Sequence, residues 1–126
     1  MDNFTKLLAI VRRKSAYDHG NPWYSGPESY LQGLKDEVDE VIEELPRQRN
    51  CYLEDELGDL LWNCLNTVFA VEKETGITLE SVLDRACRKF ETRLSGLEAG
   101  RSWQAIKEEQ KQALAREQGS APADSD

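Results

Sequence analysis

The sequence has few cysteines and no long apolar run. Its three cysteines, Cys51, Cys64 and Cys87, are odd in number and lack C-x-x-C spacing, which argues against a disulfide framework and favours a reducing compartment. Two of them fall in apolar helical patterns, so we expect small core residues. Without a membrane-length stretch or a recognisable leader, the sequence predicts a cytoplasmic protein with no membrane partner.

Basic residues are also in short supply. Lys and Arg total 16 against 24 Asp and Glu, which gives a formal net charge of −8 and a pI near 4.7. General affinity for DNA or RNA depends on clustered cations, so we expect no nucleic acid polymer as a partner. Polyphosphates would still bind through a metal ion. At 126 residues the chain is long enough for one compact unit with a modest core.

Strand-like alternation is absent as well, so we predict an all-α fold that resembles a four-helix bundle. Apolar residues recur at helical spacing in four segments, at about residues 3–16, 28–45, 52–75 and 78–96. We predict one helical domain over residues 1–100, a helical C-terminal extension over 101–118 and a disordered tail over 119–126.

The third predicted helix carries a second apolar stripe. This stripe consists of Gly58, Trp62, Leu65 and Phe69. Because a helix that is apolar nearly all round must be buried nearly all round, we predict that the stripe packs against another subunit in a homodimer or tetramer. Gly58 would permit the close approach. In the alternative, the helix at 101–118 folds back over Trp62 within one chain.

Two acidic pairs are the strongest functional signal. Glu37 and Glu40 lie three apart on the second predicted helix, and Glu56 and Asp59 lie three apart on the third, so each pair projects from one side of its helix. Antiparallel packing through the connection near Pro46 would bring the pairs face to face. Four close carboxylates repel one another unless a cation lies among them, and Mg²⁺ or Mn²⁺ prefers oxygen ligands. The alternative is a solvated acidic rim.

The strings around these pairs resemble a known family. Leu-Lys-Asp-Glu-Val-Asp-Glu-Val at 34–41 and Leu-Glu-Asp-Glu-Leu-Gly-Asp-Leu-Leu at 53–61 are similar to the MazG-type nucleotide pyrophosphohydrolases of the all-α NTP pyrophosphatase superfamily. The signature of that family is E-x-x-E, a gap, and E-x-x-D. The resemblance covers about residues 20–95.

The resemblance implies Mg²⁺-dependent hydrolysis of a nucleoside triphosphate between the α and β phosphates, with Mn²⁺ as a substitute ion. The products would be the monophosphate and pyrophosphate, and the role would be cleaning of nucleotide pools. It implies Glu37, Glu40, Glu56 and Asp59 as catalytic metal ligands, with the general base among them left open.

Four further residues are candidate substrate contacts. Lys89 and Arg93 lie four apart on the fourth predicted helix and would neutralise the phosphate tail; the alternative is a pair of exposed helix cations. Asn63 would hydrogen-bond the sugar or base, unless it only makes a polar contact between helices. Trp23 would stack on the base, unless it only covers the core.

Two other functions are compatible with these patterns. One is an enzyme of the same superfamily specialised for dUTP, dCTP or phosphoribosyl-ATP, which a substrate profile would identify. The other is a non-catalytic bundle that binds nucleotide or metal as a regulator. Release of pyrophosphate separates an enzyme from a regulator.

Overall fold

The computed structural model describes residues 1–119, and this range is all-helical. Its helices are α1 (Asn3–Asp18), α2 (Pro27–Glu44), α3 (Asn50–Glu74), α4 (Leu79–Glu98) and α5 (Trp103–Gly119), with a 3₁₀ turn at Leu45–Arg47. The predicted all-α class is therefore confirmed. None of these helices is both long enough and apolar enough to traverse a bilayer.

The chain forms two compact units, residues 1–79 and residue 80 onward. The predicted boundaries of the helical domain at residue 100 and of the C-terminal extension at residue 118 stay a prediction. Of the tail predicted to be disordered, Gly119 instead ends α5, and residues 120–126 lie outside the described range.

The helix ends follow local sequence, which is why the predicted limits agree within two residues. Asp2 caps α1, its Oδ1 accepting a hydrogen bond of 2.8 Å from the amide of Thr5. Pro27 opens α2 at the position where a missing N–H costs nothing. Pro46 interrupts the helical hydrogen bonds after α2, and Gln48 then adopts a left-handed conformation with φ of 56°.

The core of the first unit lies between α1 and α3. Val11 of α1 packs with Leu65 and Phe69 of α3 and with Leu79. Leu65 and Phe69 are only 7% and 3% exposed, so they are not available to another subunit. The interface prediction is wrong for these two residues because α1, which it did not consider, covers that side of α3. Trp62 is partly buried at the edge of the same core.

Several apolar side chains of α2 and α3 that do not belong to this core are exposed in the single chain. The larger ones are Val38, Ile42, Leu57 and Leu61. Gly58 is exposed as well, and a side chain there would meet open space.

The cysteines are exposed, contrary to the expectation of core positions. Cys64 is exposed because the buried side of α3 carries Leu65, Asn66 and Phe69, and Cys64 does not lie on that side.

Close packing of α2 on α3 positions the acidic pairs. A Cβ at Gly33 would lie 2.7 Å from Oδ1 of Asn63, so the missing side chain lets the helices approach there. The Asn63 amide donates to the Asp59 carbonyl at 2.9 Å. Asn63 thus lies where α2 and α3 pack closely, and its role toward the substrate stays a prediction.

The second unit is a hairpin of α4 and α5. Ile106 is fully buried and packs on Gly96, where a side chain would collide with it. Gly100 turns the chain with φ of 87°, and the Arg101 amide donates to the Gly96 carbonyl at 2.9 Å. Farther along, the Arg85 guanidinium forms a two-fold hydrogen bond with Glu117 at 2.6 and 3.2 Å. The two helices are therefore tied at both ends.

Candidate metal centre

Facing sides of α2 and α3 bring acidic side chains together. One carboxylate oxygen each from Glu37, Glu56 and Asp59 lies within 4.8 Å of the other two, and all three side chains are partly buried. Glu40 lies one turn after Glu37 and is exposed, but its carboxyl interacts with those of Glu37 and Glu56. All four predicted ligands thus share one region, which we call the carboxylate cluster.

Two oxygen atoms of the cluster are buried without a partner. Oε2 of Glu37 and Oε2 of Glu56 are shielded from solvent and accept no hydrogen bond from any group in residues 1–119. Nor does any Lys or Arg in that range form an ion pair with the cluster. Burying such an oxygen without compensation costs free energy, so the cluster is incomplete by itself.

The raised pKa values of three cluster carboxyl groups also indicate that the cluster lacks positive charge. Burial raises the pKa of Glu37 from 4.5 to about 7, and the hydrogen bond and charge of Glu40 and the charge of Asp59 add to the effect. The pKa of Glu56 is raised first by its hydrogen bond with Glu40 and then by burial. Burial, followed by the charges of Asp55 and Glu40, raises the pKa of Asp59. Each shift disfavours the fully ionised cluster.

The donor set fits a hard divalent cation. All of its atoms are carboxylate oxygens, and no thiolate or imidazole belongs to it within residues 1–119. Octahedral Mg²⁺ has bonds of about 2.1 Å, so opposite ligands lie roughly 4 Å apart. The observed upper separation of 4.8 Å requires only a small contraction. The two unpartnered oxygens would receive from the ion the positive charge that the protein does not supply.

Trp23 lies on the connection between α1 and α2. Its side chain is 53% exposed and contacts Tyr30 edge-on, with ring centres 5.3 Å apart. Nζ of Lys14 lies 5.0 Å from the Trp23 ring. One part of the indole is therefore fixed by packing while another remains open to solvent.

A buried carboxylate beside Tyr30 was not predicted from the sequence. Asp18 is 2% exposed and accepts hydrogen bonds from Lys14 and from the Tyr30 hydroxyl. The helical segment predicted at about residues 3–16 continues through Asp18 in the structure. The i, i+4 spacing of Lys14 and Asp18 was the available signal, since such pairs meet on a helix.

Lys89 and Arg93 belong to the second unit. Nε of Arg93 donates to Oε1 of Gln110 at 2.7 Å, and its guanidinium lies 4.9 Å from the Trp103 ring. Nζ of Lys89 lies 5.4 Å from the Phe90 ring. The role of both cations toward phosphate stays a prediction.

Comparison with known proteins identifies the family. The sequence model of the MazG nucleotide pyrophosphohydrolase domain matches residues 25–96, a segment that contains both acidic pairs. No curated protein and no solved structure matches the chain. The match covers more than half of the 126 residues and agrees with the resemblance seen in the acidic strings. The chain therefore belongs to the MazG nucleotide pyrophosphohydrolase family.

Proposed function

We propose that this protein hydrolyses nucleoside triphosphates between the α and β phosphates, releasing the monophosphate and pyrophosphate, as a cytoplasmic enzyme of nucleotide pool cleaning. Family membership supports the reaction class. The single observation that carries the proposal is the carboxylate cluster, whose Glu37 and Glu56 each hold a buried oxygen without a partner.

In this proposal Glu37, Glu56 and Asp59 hold Mg²⁺, with Mn²⁺ as a substitute, and Glu40 completes the set. A divalent ion bound there would offset negative charge on the phosphate oxygens. Glu40 is the exposed member of the set and does not belong to the group of three whose carboxylate oxygens lie within 4.8 Å of one another. We assign it as the general base that accepts the proton of the attacking water.

Other residues would bind the rest of the substrate. Trp23 would stack on the base with its open part, while the aromatic and cationic contacts of Tyr30 and Lys14 hold the ring in place. Lys89 and Arg93 would contact the phosphate tail, the first as a point charge and the second as a planar fork. Asn63 would hydrogen-bond the sugar or base of the substrate.

Assembly is a separate proposal. We propose that the exposed apolar side chains of α2 and α3, named above, pack on a second copy in a homodimer or tetramer, with Gly58 close to that surface. Removing them from water would favour association. Sedimentation analysis showing a monomer that Ile42→Glu leaves unchanged would contradict it.

The test of the reaction is pyrophosphate release from a panel of ribo- and deoxynucleoside triphosphates with Mg²⁺. EDTA and Asp59→Ala should each abolish release. Glu54→Ala provides a matched control, because this exposed residue of α3 carries the same charge and lies outside the cluster. Release that persists in EDTA or in Asp59→Ala would overturn the assignment.

The same panel separates the alternatives. Release confined to dUTP or dCTP would identify a base-specialised enzyme of the superfamily. Stabilisation by metal without release from any nucleotide would favour a regulator that binds without turnover.

A further inference from the structure

The hairpin of α4 and α5 encloses a groove of about 550 Å³. Its cationic lining residues are Arg85, Arg88, Lys89, Arg93, Lys107 and Lys111. Among the residues that the structure describes, only the carboxylates of Glu108 and Glu117 line the same groove. The chain as a whole carries a net charge of −8, so composition does not account for this local excess of positive charge.

Half of these cations have partners that hold them in place. Arg85 pairs with Glu117 at 2.6 Å, and Arg88 pairs with Asp84 on its own helix at 2.9 Å. Arg93 donates to the neutral side chain of Gln110, which in turn donates to the carbonyl of residue 89 at 2.9 Å. These contacts fix one wall of the groove and attach it to α5.

The three lysines of the groove lack a negative partner in the described part of the chain. Within residues 1–119, Lys89, Lys107 and Lys111 form no ion pair. Lys107 and Lys111 lie four apart on one side of α5, where like charges disfavour the helix. A bound anion would remove this repulsion and would accept hydrogen bonds from several ammonium groups at once.

We propose that the groove binds a small polyphosphate anion, such as pyrophosphate or the polyphosphate part of a nucleotide, and that α5 contributes Lys107 and Lys111 as ligands beside Lys89 of α4. Lys107 and Lys111 lie beyond the family match at residues 25–96, so α5 adds this site to the family domain. The proposal rests in part on the proposed function, which assigns Lys89 and Arg93 to the phosphate tail of the substrate, but binding in the groove does not require turnover.

The charge distribution favours a small anion over a nucleic acid. Electrostatic interactions fade over about 8 Å at physiological ionic strength, so an anion inside the groove experiences mainly the lysines and arginines around it. A long polyanion would also extend across surface of a chain whose net charge is −8, which would repel it.

The test is calorimetric titration of the full chain with tripolyphosphate in the presence of EDTA. The wild type should show saturable binding, and Lys107→Gln/Lys111→Gln should weaken it by roughly tenfold or more, because charge-assisted hydrogen bonds are lost. Lys6→Gln/Arg13→Gln removes the same charge from exposed positions of α1 and should leave the affinity unchanged within about twofold. Circular dichroism establishes that each variant is folded.

Three results would overturn the proposal: no saturable binding to the wild type, equal loss in the α1 control, or no loss in the α5 variant. Displacement of tripolyphosphate by a single-stranded RNA at lower concentration would assign the groove to nucleic acid instead. Sedimentation that changes only in the α5 variant would assign it to a second copy of the chain. Because EDTA excludes the metal, failure here is distinct from failure of hydrolysis, which Asp59→Ala reports.

Discussion

Buried carboxylates in the first unit occur in two environments. Asp18 and Glu44 are 2% and 5% exposed, and each is matched by a cation, Lys14 for Asp18 and Arg49 for Glu44. In the carboxylate cluster, Glu37 and Glu56 also bury oxygen atoms, but these have no partner in residues 1–119. The same unit thus completes two buried acids with its own side chains and leaves two buried oxygens of the cluster without a partner among the described residues.

The two environments shift the pKa of their carboxyl groups in opposite directions. The hydrogen bond from Arg49, ahead of all other influences, lowers the pKa of Glu44. Burial and neighbouring carboxylates raise the pKa of Glu37 to about 7. The pKa of each carboxyl group therefore reflects the charge beside it: Arg49 lies beside Glu44, whereas no Lys or Arg of residues 1–119 pairs with the cluster.

The largest expected effect distinguishes the environments by activity. Glu56→Gln should reduce turnover by about 10³-fold or more because a ligand of the divalent ion is lost. Its metal-free form should be as stable as the wild type or more stable, since like-charge repulsion is relieved. Glu44→Gln is the matched control in the partnered environment and should retain turnover. The rate of pyrophosphate release measures turnover in both variants. An equal loss in the two would contradict a functional difference between the cluster and the partnered carboxylates.

The second largest effect concerns stability, for which the partnered carboxylates should matter most. Asp18→Ala should lower the free energy of unfolding by about 2–4 kcal/mol, because Lys14 and Tyr30 lose the acceptor that they share. Asp39→Ala, at an exposed position of α2, should change it by less than about 0.5 kcal/mol. Urea denaturation gives both values. A loss from Asp18→Ala no larger than that of the control would contradict the structural role.

Metal should stabilise the cluster and leave the partnered acids unaffected. Mg²⁺ at a hundred times its dissociation constant should add about 2.7 kcal/mol to the free energy of unfolding by mass action. The shift in melting temperature should disappear in Glu37→Gln/Glu56→Gln and persist in Glu44→Gln. If millimolar Mg²⁺ or Mn²⁺ leaves the wild-type melting temperature unchanged, the cluster is not a metal site.

The smallest expected effect is the pH dependence of stability in EDTA. Since folding raises the pKa of Glu37 from 4.5 to about 7, the folded state binds the proton more tightly, and stability is lost as pH rises through this window. After allowance for solvent screening, the loss should be about 1–2 kcal/mol. Glu44 works in the opposite sense, because its lowered pKa makes its contribution complete once pH exceeds its unfolded value. Thermal melts between pH 5 and 8 should be flatter in Glu37→Gln.

The elements that sequence predicted well depend on local interactions. Helix limits followed from capping by Asp2, from Pro27 and Pro46, and from apolar spacing, all of which act within a few residues. The acidic pairs came together because residues three apart share one side of a helix, and because the short 3₁₀ connection returns α3 alongside α2.

The failures concern interactions between distant segments. Helical periodicity shows that α3 has two apolar sides but cannot decide which one α1 covers, so Leu65 and Phe69 were assigned to the wrong neighbour. Exposure of Cys64 follows from the same choice. The approach of Gly33 to Asn63 and the contact of Asp18 with Tyr30 also depend on packing that no local rule contains.

The 3₁₀ turn at Leu45–Arg47 has a consequence for the order of assembly during synthesis. The acidic residues of the cluster span only residues 37–59, so all of them lie on α2 and α3, on either side of this turn. Contacts of such short sequence separation form early in folding. At about 5–20 residues per second, translation would need roughly 2–9 s more to reach Trp103 at the start of α5. A nascent chain would thus contain every residue of the carboxylate cluster before the hairpin of α4 and α5 exists.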